Sequence, residues 1–141
     1  MKKTIICVSA KSNRGKSSTI KKLYTMLGGT KTFADGEDIW EVVTYKGHKI
    51  GIKSQGDPGT DHRTDLGNFI VKVHVDVVVT ASRSTGQTLW SIYDIAKETG
   101  FETIVLTPMS ADTGYDIYPV DNLNTKNAEA ILEIINNIIN N

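Results

Sequence analysis

In Ala10-Lys11-Ser12-Asn13-Arg14-Gly15-Lys16-Ser17-Ser18, residue types and spacing could do chemistry. A small residue is followed, after four positions, by Gly-Lys-Ser, between an apolar β-branched run and a segment with helical spacing of apolar residues. A helix beginning there presents amides that no intrahelical carbonyl pairs, together with the positive end of its dipole, so it attracts anions. Gly15 lets the backbone turn close to such a ligand, Lys16 adds an ammonium, and Ser17 and Ser18 add hydroxyls. The plainer alternative is a serine-rich helix start with Gly15 as an ordinary turn residue.

Two other segments carry groups suited to the same ligand. The sequence from 50 to 59 runs Ile-Gly-Ile-Lys-Ser-Gln-Gly-Asp-Pro-Gly; Asp57 there either organises a cation or a water, or simply begins an Asp-Pro turn. Arg83, in Ser82-Arg83-Ser84-Thr85-Gly86-Gln87-Thr88, follows an apolar strand. Its guanidinium suits bidentate pairing with phosphate, or alternatively pairing with a surface acid. Asp76 precedes Val77-Val78-Val79 and belongs at a strand's amino end, away from the carboxyl ends where ligands of open α/β sheets bind. His48, His62 and His74 share no metal-ligand spacing with one another or with Cys7, which reads as core.

The elements that must position these groups follow from periodicity. Residues 4–10 (TIICVSA) read as a buried strand, and Ile20, Leu23, Tyr24 and Leu27 as one face of a helix stopped by Gly28-Gly29. Residues 30–38 read as a mobile polar connection; 39–45 and 48–54 form a hairpin about Lys46-Gly47. After a loop at 55–60, residues 61–75 fit either a helix or, through Val71–Val75, an alternating strand. The helix is favoured because 76–81 is the better strand and needs a crossover before it. Leu89, Ile92, Tyr93 and Ala96 predict a helix ended by Gly100, and 102–107 a strand halted by Pro108. Residues 109–124 read as irregular. A final helix puts Ile131, Ile134, Ile135, Ile138 and Ile139 on one face with asparagines opposite; that face packs on the sheet or makes a dimer contact. Alternating strands and helices predict one α/β domain over 1–141, with a mostly parallel sheet, right-handed crossovers and one antiparallel hairpin strand.

Residues 10–18 resemble the phosphate-binding loop of P-loop nucleoside triphosphatases, G-x-x-x-x-G-K-[ST], with Ala10 in place of the first glycine. The resemblance implies a three-layer P-loop sandwich and an NTPase or nucleotide switch that binds ATP or another nucleoside triphosphate with Mg²⁺. It implies that Ala10, Lys11, Ser12, Asn13, Arg14, Gly15, Lys16, Ser17 and Ser18 hold the nucleotide. Lys16 would lie between the β- and γ-phosphates and Ser17 would ligate Mg²⁺. Asp57 would act as the second metal-organising group, and Lys16, Asp57 and Arg83 would carry the catalysis. The order of elements is also similar to small GTPases, but the guanine-reading Asn-Lys-x-Asp is missing: residues 107–112 are Thr-Pro-Met-Ser-Ala-Asp, with Asp112 alone remaining. ATP is therefore expected over GTP. Lys11, five positions before Lys16, is similar to the signature lysine of ParA/MinD-type ATPases, which acts across a homodimer; Ser12-Asn13 replaces the glycine pair of that motif. A small kinase and a non-catalytic module acting through a protein partner are the alternative functions.

Composition bounds these readings. The 141 residues include 39% hydrophobic side chains and a single cysteine, which excludes an internal disulfide framework. Met1-Lys2-Lys3 and the apolar run behind it are too short for an export segment. A cytoplasmic protein without membrane association is the expectation. Thirteen basic and seven acidic residues in 1–75 face three and nine in 76–141, yet no long basic run or basic-aromatic interleaving indicates nucleic acid.

Overall fold

The β-branched runs assemble into one five-stranded sheet, and the helices cover both of its faces. The computed structural model describes residues 1–10, 15–55, 62–82, 87–110 and 120–141. In chain order these give β1 (Thr4–Ser9), α1 (Lys16–Met26), β2 (Trp40–Tyr45), β3 (His48–Lys53) and α2 (His62–Gly67), which continues into a π-helical segment (Asn68–Val73). Then follow β4 (Val77–Ser82), α3 (Gln87–Thr99), β5 (Glu102–Leu106) and α4 (Val120–Ile139). The strands lie in the order β2-β3-β4-β1-β5, parallel throughout except for the antiparallel β2–β3 pair. The fold is thus α/β with a mixed, mostly parallel sheet.

Every residue of β1 is buried, because helices cover both sides of it and a strand flanks each edge. Its side chains alternate between two cores. Ile6 and Val8 join Val77, Val79, Ile50 and Ile52 beneath Ile20 and Leu23 of α1 and Ile131 and Ile135 of α4. Ile5 and Cys7 join Val78 on the other face, beneath Leu66, Phe69, Ile92 and Ile95.

Local signals set the element ends. Lys46 and Gly47 have φ of 50° and 80°, the pair of positive values that a two-residue type I′ hairpin requires. Gly28, at φ 96°, closes α1, and the amide of Gly29 donates to the carbonyl of Tyr24 at 2.9 Å. The ambiguous segment is helical, its second half π-helical, with Phe69 and Ile70 buried and Val71 62% exposed. Phe69 lies over Gly51, and Trp40 stacks on its ring at 4.7 Å.

Two expectations are corrected. The buried stripe of α3 contains Ile95, while Tyr93 is exposed; Ile95 and Ala96 lie one turn from Ile92, whereas Tyr93 is about 100° around the helix. Residues 120–124 are helical rather than irregular, and Asp121 in the first turn of α4 pairs with Lys22 of α1 at 2.9 Å. Asn124 and Asn127 of this helix are buried. The polar connection at 30–38 makes specific contacts: Lys31 pairs with Glu41 at 2.6 Å, its amide donates to the hydroxyl of Tyr24, and Phe33 meets the Tyr24 ring edge-on. Among the described residues no helix is long and apolar enough to cross a membrane.

Gly29 abuts the face of the Tyr24 ring, where an added Cβ would lie 2.3 Å from Cζ. Gly29→Ala is therefore expected to lower stability by about 1–3 kcal/mol, read as a reduced urea midpoint with an unchanged slope.

Candidate functional site

At the carboxyl end of β1, Gly15 forms the N-cap of α1 with φ 80° and ψ 17°, a left-handed conformation that disfavours side chains. Its carbonyl accepts the amide of Thr19 at 2.9 Å, so the helix starts directly from this turn. No side chain caps it, and its first turn carries Lys16, Ser17 and Ser18 with no acidic residue. Glycine is required here for space as well: an added Cβ would lie 2.2 Å from Oδ1 of Asn124 on α4.

Lys16 folds back from the helix over the sheet. Its Nζ donates to the carbonyls of Ala10, at 2.9 Å, and Ser82, at 3.0 Å, and the residue is only 9% exposed. Those carbonyls terminate β1 and β4, which are hydrogen-bonded neighbours; the amide of Ala10 donates to the same Ser82 carbonyl at 3.2 Å. From this seam the chain leaves in two directions, β1 into α1 on one face and β4 into α3 on the other. Such a divergence opens a crevice at the carboxyl ends of the strands, the place where open α/β sheets bind ligands. The ammonium stands at that crevice.

Beneath it the sheet becomes polar. Cys7 Sγ lies 3.1 Å from Ser82 Oγ; burial pushes the thiol up to about 11, against the smaller opposing pulls of the Ser82 hydrogen bond and the Lys16 charge. Lys53, the last residue of β3, is 1% exposed, donates to the carbonyl of Gln55 at 2.8 Å and stands 3.5 Å from Asp65 of α2. A buried ammonium needs such partners. The buried hydroxyls of Thr19, Thr80 and Thr88 have no hydrogen-bond partner among the described residues.

The structure brings together Ala10, Gly15, Lys16, Ser17 and Ser18 from the sequence-predicted set; Ser17 is half-buried and Ser18 exposed. Lys11, Ser12, Asn13, Arg14, Asp57, Arg83 and Asp112 lie outside the described residues. Strand β3, which leads to Asp57, is next but one to β1, with β4 between them, a separation of roughly 10 Å at two strand spacings. Asp76 takes the structural place expected of it at the opposite rim, with its carboxylate 3.3 Å from Nδ1 of His48 and from the amide of Lys49.

Sequence reasoning missed Lys53, Asn124 and Asn127. Asn124 is seven residues before Ile131 and so continues the apolar stripe of α4 toward its start; a polar residue interrupting a buried stripe was the available signal. Asn127 clamps the segment after β5, accepting from the Met109 amide and donating to the Met109 carbonyl, each at 2.9 Å. A groove of about 330 Å³ lies at the other end of α1, bordered by Tyr24, Gly29, Lys31, Glu41 and Val43. It faces the negative end of the helix dipole and so is unsuited to phosphate.

The raised Cys7 pKa means that the folded protein keeps its thiol proton at pH values where the unfolded chain has lost it. Stability from this group is intact below about pH 9 and is lost as pH rises toward about 11. The stability difference between wild type and Cys7→Ala should shrink by roughly 2–3 kcal/mol between pH 8 and 11, measured by denaturant unfolding. Iodoacetamide should label Cys7 only as the protein unfolds. Compared with protein-family models, with curated proteins and with solved structures, the chain finds no match.

Proposed function

We propose that this chain is a P-loop nucleoside triphosphatase: it binds ATP with Mg²⁺ in a three-layer P-loop fold and hydrolyses the γ-phosphate slowly. The observation that carries the reading is a coincidence at one point of the rim. An α1 start without side-chain cap or acid, set on a positive-φ glycine, meets an ammonium held across the β1–β4 seam. The two carbonyls hold the ammonium at the rim, in position to meet an anion seated on the start of α1.

The groups present fit a nucleotide polyphosphate. Amides of the first turn of α1 and the residues from Ala10 to Arg14 would surround the phosphates, with Lys16 on the β- and γ-oxygens and Ser18 toward the α-phosphate. Ser17 and Asp57 are the residues that would hold Mg²⁺, which when bound neutralises charge on the phosphate oxygens. Arg83, which follows the strand end that anchors Lys16, would stabilise charge developing in the transition state. Catalysis of this kind rests on positioning and electrostatics, which explains how a small domain suffices.

Calorimetric titration with ATP, GTP and ADP, each with and without Mg²⁺, tests the reading. ATP with Mg²⁺ should bind, and Lys16→Ala should weaken binding at least tenfold and abolish phosphate release. Equal turnover in wild type and Lys16→Ala would remove the assignment. Gly15→Ala should also lose binding, with a stability cost of about 1–2 kcal/mol from the left-handed backbone alone. Tight binding without turnover would make the chain a nucleotide-binding regulatory module.

A further inference from the structure

The geometry points to Asn124 of α4 as a further ligand-binding residue, one whose side-chain amide donates to the polyphosphate seated on the first turn of α1. The inference rests on the reading of that turn as a phosphate cradle and adds a contact from a different element.

Asn124 is 6% exposed, yet its carboxamide makes no hydrogen bond among the described residues. A carboxamide offers two donors and an acceptor, and unlike the fully enclosed hydroxyls of Thr19, Thr80 and Thr88 those of Asn124 still touch solvent, so a largely buried residue keeps them open to a ligand at the rim. Here the group is aimed at the cap of α1. Measured from the place of a Gly15 Cβ, Oδ1 lies at 2.2 Å, Cγ at 3.2 Å and Nδ2 at 3.5 Å. The carboxamide thus occupies the space that the missing side chain of Gly15 leaves open, beside the amides that start the helix.

The supports around Asn124 keep it there. One turn earlier, Asp121 is paired with Lys22 of α1. One turn later, Asn127 holds both polar backbone atoms of Met109, and Ala128 and Ile131 are fully buried against α1 and the sheet. A short polar side chain on a helix fixed at both sides is placed with little freedom, as a binding group must be. The carboxamide can turn its NH₂ toward an anion, and a neutral donor there complements the charge of Lys16 without adding to the cost of burying it.

Inorganic tripolyphosphate, which has neither base nor sugar, isolates this contact. Binding would be measured by calorimetry for wild type, Lys16→Ala, Asn124→Ala and Asn124→Asp. The aspartate variant keeps the shape of the side chain but places a carboxylate against the phosphates. It should weaken tripolyphosphate and ATP binding alike by at least tenfold, and more than Asn124→Ala, expected to cost about three- to tenfold. Tripolyphosphate bound by Asn124→Asp within twofold of wild type overturns the inference, including the case in which only the preference between ATP and GTP changes. If wild type binds and Lys16→Ala does not, such a result removes the role of Asn124 alone; if wild type binds neither tripolyphosphate nor ATP, the cradle itself is refuted and Asn124 with it. Should a variant fail to fold, the side-chain NH₂ resonances of Asn124 in wild type decide: they should shift on saturation with tripolyphosphate, and unmoved resonances reject the contact.

Discussion

One carbonyl, that of Ser82, receives both the amide of Ala10 and the ammonium of Lys16. The first bond is the last rung between the two central strands, and the second ties the start of α1 to the same rung. Whatever conformation residues 11–14 take, their two ends are therefore fixed relative to the sheet, since Ala10 and Lys16 are joined directly at 2.9 Å. The burial of both strands in two separate cores makes this rim rigid enough for such a bond to have positional meaning. Gly15 adds the remaining constraint, because its left-handed turn and its contact with Asn124 leave α1 a single starting direction.

Elements whose signal is local could be read from the chain itself. The β-branched runs at Thr4–Ser9 and Val77–Ser82, the Lys46-Gly47 turn and the glycine stop after α1 follow from side-chain shape and from φ alone. The segment Asn68–Val73 had to be decided by connectivity, since its valines alternate as a strand would; the need for a crossover before β4 gave the right answer. The strand order was beyond local reading. Nothing in the spacing of His48–Lys53 tells that β4 separates it from β1, because pairing between distant segments is decided by the cores on both faces together.

The candidate site divides in the same way. Gly15, Lys16 and Ser17 were legible because they are consecutive residues at one helix start, where the left-handed glycine and the first turn follow from local backbone alone. Asn124 and Lys53 were not, because each arrives from a distant element and looks in the sequence like an ordinary solvated residue. Asn124 lies in a helix whose asparagines suggest a wet face, and only packing against α1 shows that the first part of its buried stripe is polar and the later part apolar. That change of character along one stripe coincides with the passage from the sheet rim to the core.

Helices α1, α3 and α4 each follow the carboxyl end of a parallel strand, so all three begin at the same rim of the sheet although they cover different faces. Their dipoles point in a common sense, each contributing about half an elementary charge at the near end. A chain whose acidic and basic residues balance, sixteen against sixteen, is thus far from electrically featureless: it is a vector with one attractive pole. For a small anion diffusing toward it, that pole offers a bias in direction without any surplus of lysine, and at physiological ionic strength the bias extends over only about 8 Å. Beyond that range salt screens the pole, and the balanced charge of the chain is what a distant neighbour meets.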